Sequence, residues 1–165
     1  MKLYSKKKIS RISVKKKLND KVYRQIGALC YRLVGNKLRI LLITSRRSKR
    51  WIMPKGWKID KMSNRKSVAL EAWEEAGVQG RVSKRSIGTY YYRKKIDVEN
   101  FCTCAVKTFV IKVEASKKKF PEQGQRKLKW VDPVKAIELV AEPELKILIK
   151  KFLDQIKVVD DCLSH

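Results

Sequence analysis

The chain has 165 residues, 44% of them hydrophobic, and a formal net charge of +25 at pH 7. That length suits one domain and that apolar fraction suits a genuine core. The chain holds no run of about 18 apolar residues, which excludes a membrane-spanning helix, and its single histidine, His165, leaves no partner for Ser-His-Asp or Cys-His chemistry.

A mixed Cys/His zinc site lacks ligands for the same reason. Acid-base chemistry is therefore left to carboxylates, Lys, Tyr or metal-bound water. Lys far outnumbers Arg, and so large a positive charge concentrates polyanions near the surface. RNA, DNA, nucleotides and polyphosphorylated small molecules all qualify as partners. Cys30, Cys102, Cys104 and Cys162 lack C-x-x-C spacing and read as reduced thiols of a cytoplasmic protein. No apolar segment follows the N-terminal lysines, so no secretory signal is expected.

Residues 1–21 carry Lys6-Lys7-Lys8 and Lys15-Lys16-Lys17. They read as a basic arm, either polyanion-binding or merely solubilising, ahead of a single domain over residues 22–160. Gln25–Leu33 and Leu38–Thr44 read as strands joined by a turn at Gly35-Asn36-Lys37. The basic loop 45–50 leads to a short strand at Trp51-Ile52-Met53, then a turn at Pro54-Lys55-Gly56. A helix follows, with Ser63 or Asn64 as N-cap, a small-residue face of Ala69, Ala72 and Ala76, and Gly77 as the terminating glycine.

Beyond the helix, Ser86–Arg93 reads as a strand and Arg93-Lys94-Lys95 as a basic loop. The three tyrosines Tyr90, Tyr91 and Tyr92 are candidates to stack a base, though packing within a sheet is the expectation. Phe101–Val113 is rich in β-branched and aromatic residues and reads as a long strand, with Cys102 and Cys104 as packing residues. A loop spans Ala115–Gln125, and Lys127–Val131 is a short strand with Trp130 expected to be buried. Asp132-Pro133 opens one helix to about Val140, and Glu142-Pro143 opens another to about Ile156. This order predicts an α/β fold with a mixed sheet between helices.

The central helix holds the chemistry. From Ser67 to Gly80 there is no Lys or Arg, yet Glu71, Glu74 and Glu75 all fall there. Helical spacing places the three on one face. They form either a solvated acidic face or a patch of hard oxygen donors for a divalent cation. A main-chain carbonyl in the Lys55-Gly56 turn is a candidate fourth oxygen.

This segment resembles the signature of the Nudix hydrolases, G-x5-E-x7-R-E-U-x-E-E-x-G-U with U apolar. Gly56, Glu71, Ala72, Glu74, Glu75, Gly77 and Val78 match it. Met62 and Leu70 stand where the family has Glu and Arg, which bears on rate and metal affinity. The similarity extends over roughly residues 24–140 and is closest to the diphosphoinositol polyphosphate phosphohydrolase branch, in segments such as IGALCYR and RKLKWVDPVKAIELV.

The resemblance implies a Nudix-type α/β/α sandwich with a central mixed sheet. It implies cleavage of a diphosphate linkage with Mg²⁺ or Mn²⁺, in a diphosphoinositol polyphosphate or a dinucleoside polyphosphate. By position, Glu74 would be the base, and Glu71, Glu75 and the Lys55 carbonyl would hold metal. Arg24, Ser45, Arg46, Lys94, Lys95 and Arg126 would bind substrate phosphates, and Glu122 is a candidate extra carboxylate. Two alternatives stay open: cleavage at the 5′ end of RNA, and a non-catalytic polyanion- or RNA-binding role on the same scaffold. The partner is expected to be a phosphorylated small molecule, with nucleic acid an option through the basic surface.

Overall fold

The computed structural model describes residues 21–163, with side chains as far as Lys157. The expected N-terminal arm therefore lies, but for Lys21, outside the described residues. Eight strands form one sheet: β1 (Val22–Val34), β2 (Lys37–Thr44), β3 (Trp51–Ile52), β4 (Lys55–Trp57), β5 (Val78–Val82), β6 (Gly88–Lys95), β7 (Phe101–Ser116) and β8 (Leu128–Val131). The helices are α1 (Asn64–Ala76), α2 (Pro133–Leu139) and α3 (Pro143–Leu163).

The sheet is mixed. Its central pair, β1 and β7, runs parallel from Val22↔Thr103 to Tyr31↔Lys112, and the other strand pairs are antiparallel. Side chains alternate across the sheet, and each of its two faces meets helices. Ile26, Ala28, Cys30, Leu41 and Ile43 pack with Val68, Ala72 and Ala76 of α1. Leu29, Ile40, Leu42, Tyr90 and Val106 pack with Ala136 of α2 and Leu145, Leu148, Ile149 and Phe152 of α3. The result is the expected α/β/α sandwich.

The ends of α1 follow from sequence chemistry. Ser63 is the N-cap, its hydroxyl accepting from the Lys66 N–H at 3.3 Å, a bond typically contributing about 1 kcal/mol. Gly77 ends the helix in the left-handed region, φ 65°, donating to the Ala72 and Trp73 carbonyls. A side chain there would strike Phe120. The Gly77 carbonyl also accepts from Lys117, and the Glu74 carbonyl accepts from the Glu122 N–H at 2.9 Å. These bonds tie the 117–126 segment to the end of α1.

Three readings are corrected, and one strand had gone unread. The turn read at Pro54-Lys55-Gly56 is the start of strand β4, which pairs with β1 at Gly27↔Lys55 and Ile26↔Gly56. Arg93-Lys94-Lys95 belongs to β6, paired with Phe101–Thr103, and is not a loop. Trp130 is half-buried, with the Arg32 guanidinium 4.1 Å from its ring. Strand β5 had no reading at all: Gln79, Gly80 and Arg81 break its apolar pattern, and Gly80 approaches the Lys112 carbonyl too closely for any side chain.

Candidate active site

The α1 carboxylates meet β4 and the 121–126 segment. Glu71 lies against Gly56, where any side chain would overlap its carboxyl group, so the glycine is needed as a cradle. One turn on, Glu75 is buried. It accepts from the Lys55 N–H at 3.1 Å through one oxygen and from Arg126 at 2.5 Å through the other. Arg126 is itself 6% exposed. It also donates to Glu122 at 3.2 Å and to the Thr44 carbonyl at 3.1 Å. Its guanidinium thus joins the helix, the end of β2 and the late segment.

Charge at this place is unbalanced toward negative around Glu71. Burial, then the crowding of Glu75, Glu74 and Glu122, pushes its pKa up to about 8, against a smaller opposing pull from Lys55. Burial also raises Glu75, with Arg126 and the Lys55 N–H pulling it back. Lys55 is lowered to about 8, chiefly by burial, with Glu75 opposing. A set of crowded, reluctant carboxylates is a set of donors that a cation would relieve.

Among the described residues, no trio of His, Cys, Asp and Glu side chains already stands gathered around a metal position. Arg126 and the Lys55 amide occupy Glu75 instead. The chemistry of the donors nevertheless fits a hard divalent cation: several carboxylates, surplus charge at Glu71, and a glycine cradle that brings main chain against it.

Sequence reasoning overlooked a second polar network. The Lys55 ammonium donates to the Tyr92 hydroxyl at 3.0 Å, and that hydroxyl donates to the Gln25 side chain at 2.7 Å. Lys94 lies 5.1 Å from the Trp57 ring beside it. One signal was available, since Gln25 is a polar residue at the head of an apolar strand. It is 4% exposed, and a buried amide requires a partner.

The phosphate candidates divide. Arg126 and Glu122 reach the carboxylates. Ser45 closes its own loop, 2.5 Å from the Ser48 hydroxyl and accepting from the Arg50 N–H. Arg46 reaches Gln125 at 3.5 Å, next to Arg126. Lys94 shares the Tyr92 side of β6, whereas Lys95 alternates to the opposite face. Arg24, next to Gln25 on β1, likewise points away from the Lys55 network and is exposed.

No protein-family model matches the chain. It is 30% identical to Nudix hydrolase 13, mitochondrial, of Arabidopsis thaliana, across 77% of this chain and 71% of the relative. Nudix hydrolase 12, mitochondrial, of the same plant is also 30% identical, across 76% and 62%. In fold, the chain resembles the Ap4A hydrolase of C. elegans, with a TM-score of 0.61, 18% identity and coverage of 82% and 98%. It also resembles the MutT protein of Methanosarcina mazei Go1, with a TM-score of 0.62, 20% identity and coverage of 86% and 99%. With Glu71 of the signature seated on Gly56 and this similarity to curated relatives, the chain belongs to the Nudix hydrolase family.

Proposed function

We propose that the protein is a Mg²⁺-dependent pyrophosphohydrolase that cleaves a diphosphate linkage in a highly phosphorylated small molecule, a diphosphoinositol polyphosphate or a dinucleoside polyphosphate. The observation that carries this reading is the crowding of Glu74, Glu75 and Glu122 around a half-buried Glu71 carboxyl set on Gly56. Glu71, Glu75 and the Lys55 main-chain carbonyl would hold the cation, with Mn²⁺ as a substitute. Bound there, the ion would polarise the phosphoryl oxygens and screen their charge.

The chain's own groups supply the rest. Glu74, half-buried one residue before Glu75, is the proposed base, taking a proton from the attacking water. The water oxygen bonds to phosphorus as the bridging P–O bond breaks, and the two fragments leave as phosphates. Arg126 orients Glu75 and Glu122 and limits their mutual repulsion. Lys94, Arg46 and Ser45 are the proposed contacts for remote phosphates on the open side. Arg24 and Lys95, on the sheet face that carries α1, are proposed as further contacts for substrate phosphates. Buried thiols at Cys30, Cys102 and Cys104 support a reducing compartment, and we place the protein in the cytoplasm.

The test is product release from diphosphate compounds with Mg²⁺ and with chelator, for the native chain and Glu74→Gln. Metal-dependent turnover lost in the variant supports the reading. Tight binding without turnover, unchanged in the variant, would instead favour a non-catalytic polyanion-binding protein.

A further inference from the structure

The face of β6, β7 and β1 that points away from the Lys55–Tyr92 network is basic, aromatic and uncovered. Register places Tyr91 opposite Ala105, Arg93 opposite Thr103, and Lys95 opposite Phe101. Arg24 of β1 lies beside the same Ala105 on its other side. Tyr91 is 50% and Phe101 40% exposed, and the Arg93 guanidinium sits 4.9 Å from the Phe101 ring centre. Lys107, exposed two residues beyond Ala105, extends the positive stripe.

We propose that this face binds single-stranded nucleic acid. The two rings present π-faces on which bases stack, and the cations between them match the phosphates of a strand. Ala105, between Tyr91 and Arg24, leaves a shallow floor. Tyr91 and Phe101 are offset by four residues along β7, about 14 Å apart at strand spacing. That distance is too great for both rings to clasp one base and suits two bases of one extended strand with a nucleotide between them. The ladder positions carry no carboxylate. Asp97 and Glu99 are confined to the hairpin turn, where Asp97 binds the Asn100 side chain and the Glu99 and Asn100 N–H groups. Glu144 is engaged by the Tyr91 N–H at the edge of β6.

Charge complementarity selects the occupant. A basic face repels the lysine-rich residues 1–21 of this same chain and a second copy with the same net charge. An acidic polypeptide would satisfy the cations but leave the rings unused. The stripe lies on the same sheet face as α1, where Ile26 and Phe109 pack under the helix. It shares Arg24 and Lys95 with the proposed substrate contacts but uses none of the α1 carboxylates, so ring-dependent binding in chelator is read apart from hydrolysis.

The experiment measures binding by fluorescence anisotropy in chelator. The probes are a short single-stranded oligonucleotide with a 5′-hydroxyl, its abasic counterpart of equal charge, and poly-glutamate as competitor. The base-bearing strand is expected to bind at least about tenfold tighter than the abasic one. Tyr91→Ala and Phe101→Ala should each lower that preference by about fivefold while leaving abasic binding unchanged. Equal binding of both strands, or full displacement by poly-glutamate at matched charge, would overturn the proposal. Ultraviolet cross-linking of the native protein is a second readout: adducts should map to residues 89–107, and adducts confined elsewhere would contradict it.

Discussion

Two regions of one sheet face treat charge in opposite ways. At α1 and β4, negative groups are gathered out of water, so each alters the next: Glu71 is raised to about 8 by burial and by its neighbours. On the exposed stripe of β6–β7–β1, positive groups stand in solvent, where salt screens them. Burial makes the first region a place for chemistry, sensitive to single atoms. Exposure makes the second a place for attraction, sensitive to ionic strength.

Breaking the buried side should have the largest effects. Glu74→Gln should lower turnover by roughly 10²–10⁴-fold if the residue is the base, with folding unchanged, read from steady-state rates and a melting curve. Arg126→Ala leaves Glu75 and Glu122 buried together without their shared cation. It should cost about 3–5 kcal/mol of stability, measured by denaturant unfolding.

A pH series sharpens the same contrast. A carboxyl raised from 4.5 to about 8 holds a proton in the folded state that the unfolded chain has already released. Unfolding free energy, measured with chelator, should therefore fall as pH rises from about 4.5 to about 8. Glu71→Gln should flatten that slope, and added Mg²⁺ should oppose it.

Smaller effects are expected from the departures in the signature. Leu70→Arg and Met62→Glu should each raise turnover by a few-fold, and unchanged rates would contradict the roles assigned to those positions. Smallest of all is the effect of Lys107→Glu on the exposed stripe. That substitution should reduce the salt dependence of oligonucleotide binding by about one phosphate contact.

Much of this was legible in the sequence, for identifiable reasons. α1 could be read because Ser63, the alanine face and Gly77 all point to one helix, so local chemistry and tertiary packing agree. The E-x-x-E-E spacing gave the carboxylates because helix geometry converts spacing directly into proximity. Strand β4 was missed because Pro54 and Gly56 are turn residues by propensity. Gly56 is there for a different reason, the close approach of Glu71. The Lys55–Tyr92–Gln25 network was also missed, because its members are separated by 37 and 67 positions and meet only through strand register. Arg126 was assigned to substrate phosphates from position alone. Its bonds to Glu75, Glu122 and Thr44 depend on the chain folding back at Gly77 and Glu74, which no local pattern announces.

The central claim is that the crowded carboxylates of α1 form a cation-dependent hydrolytic centre. The most direct measurement is turnover of a dinucleoside polyphosphate and a diphosphoinositol polyphosphate across a Mg²⁺ titration, for the native chain, Glu71→Gln and Glu74→Gln. The account predicts saturable metal activation in the native chain, a higher metal requirement in Glu71→Gln, and little turnover at any metal concentration in Glu74→Gln. Turnover unaffected by chelator, or equal in all three proteins, would contradict it.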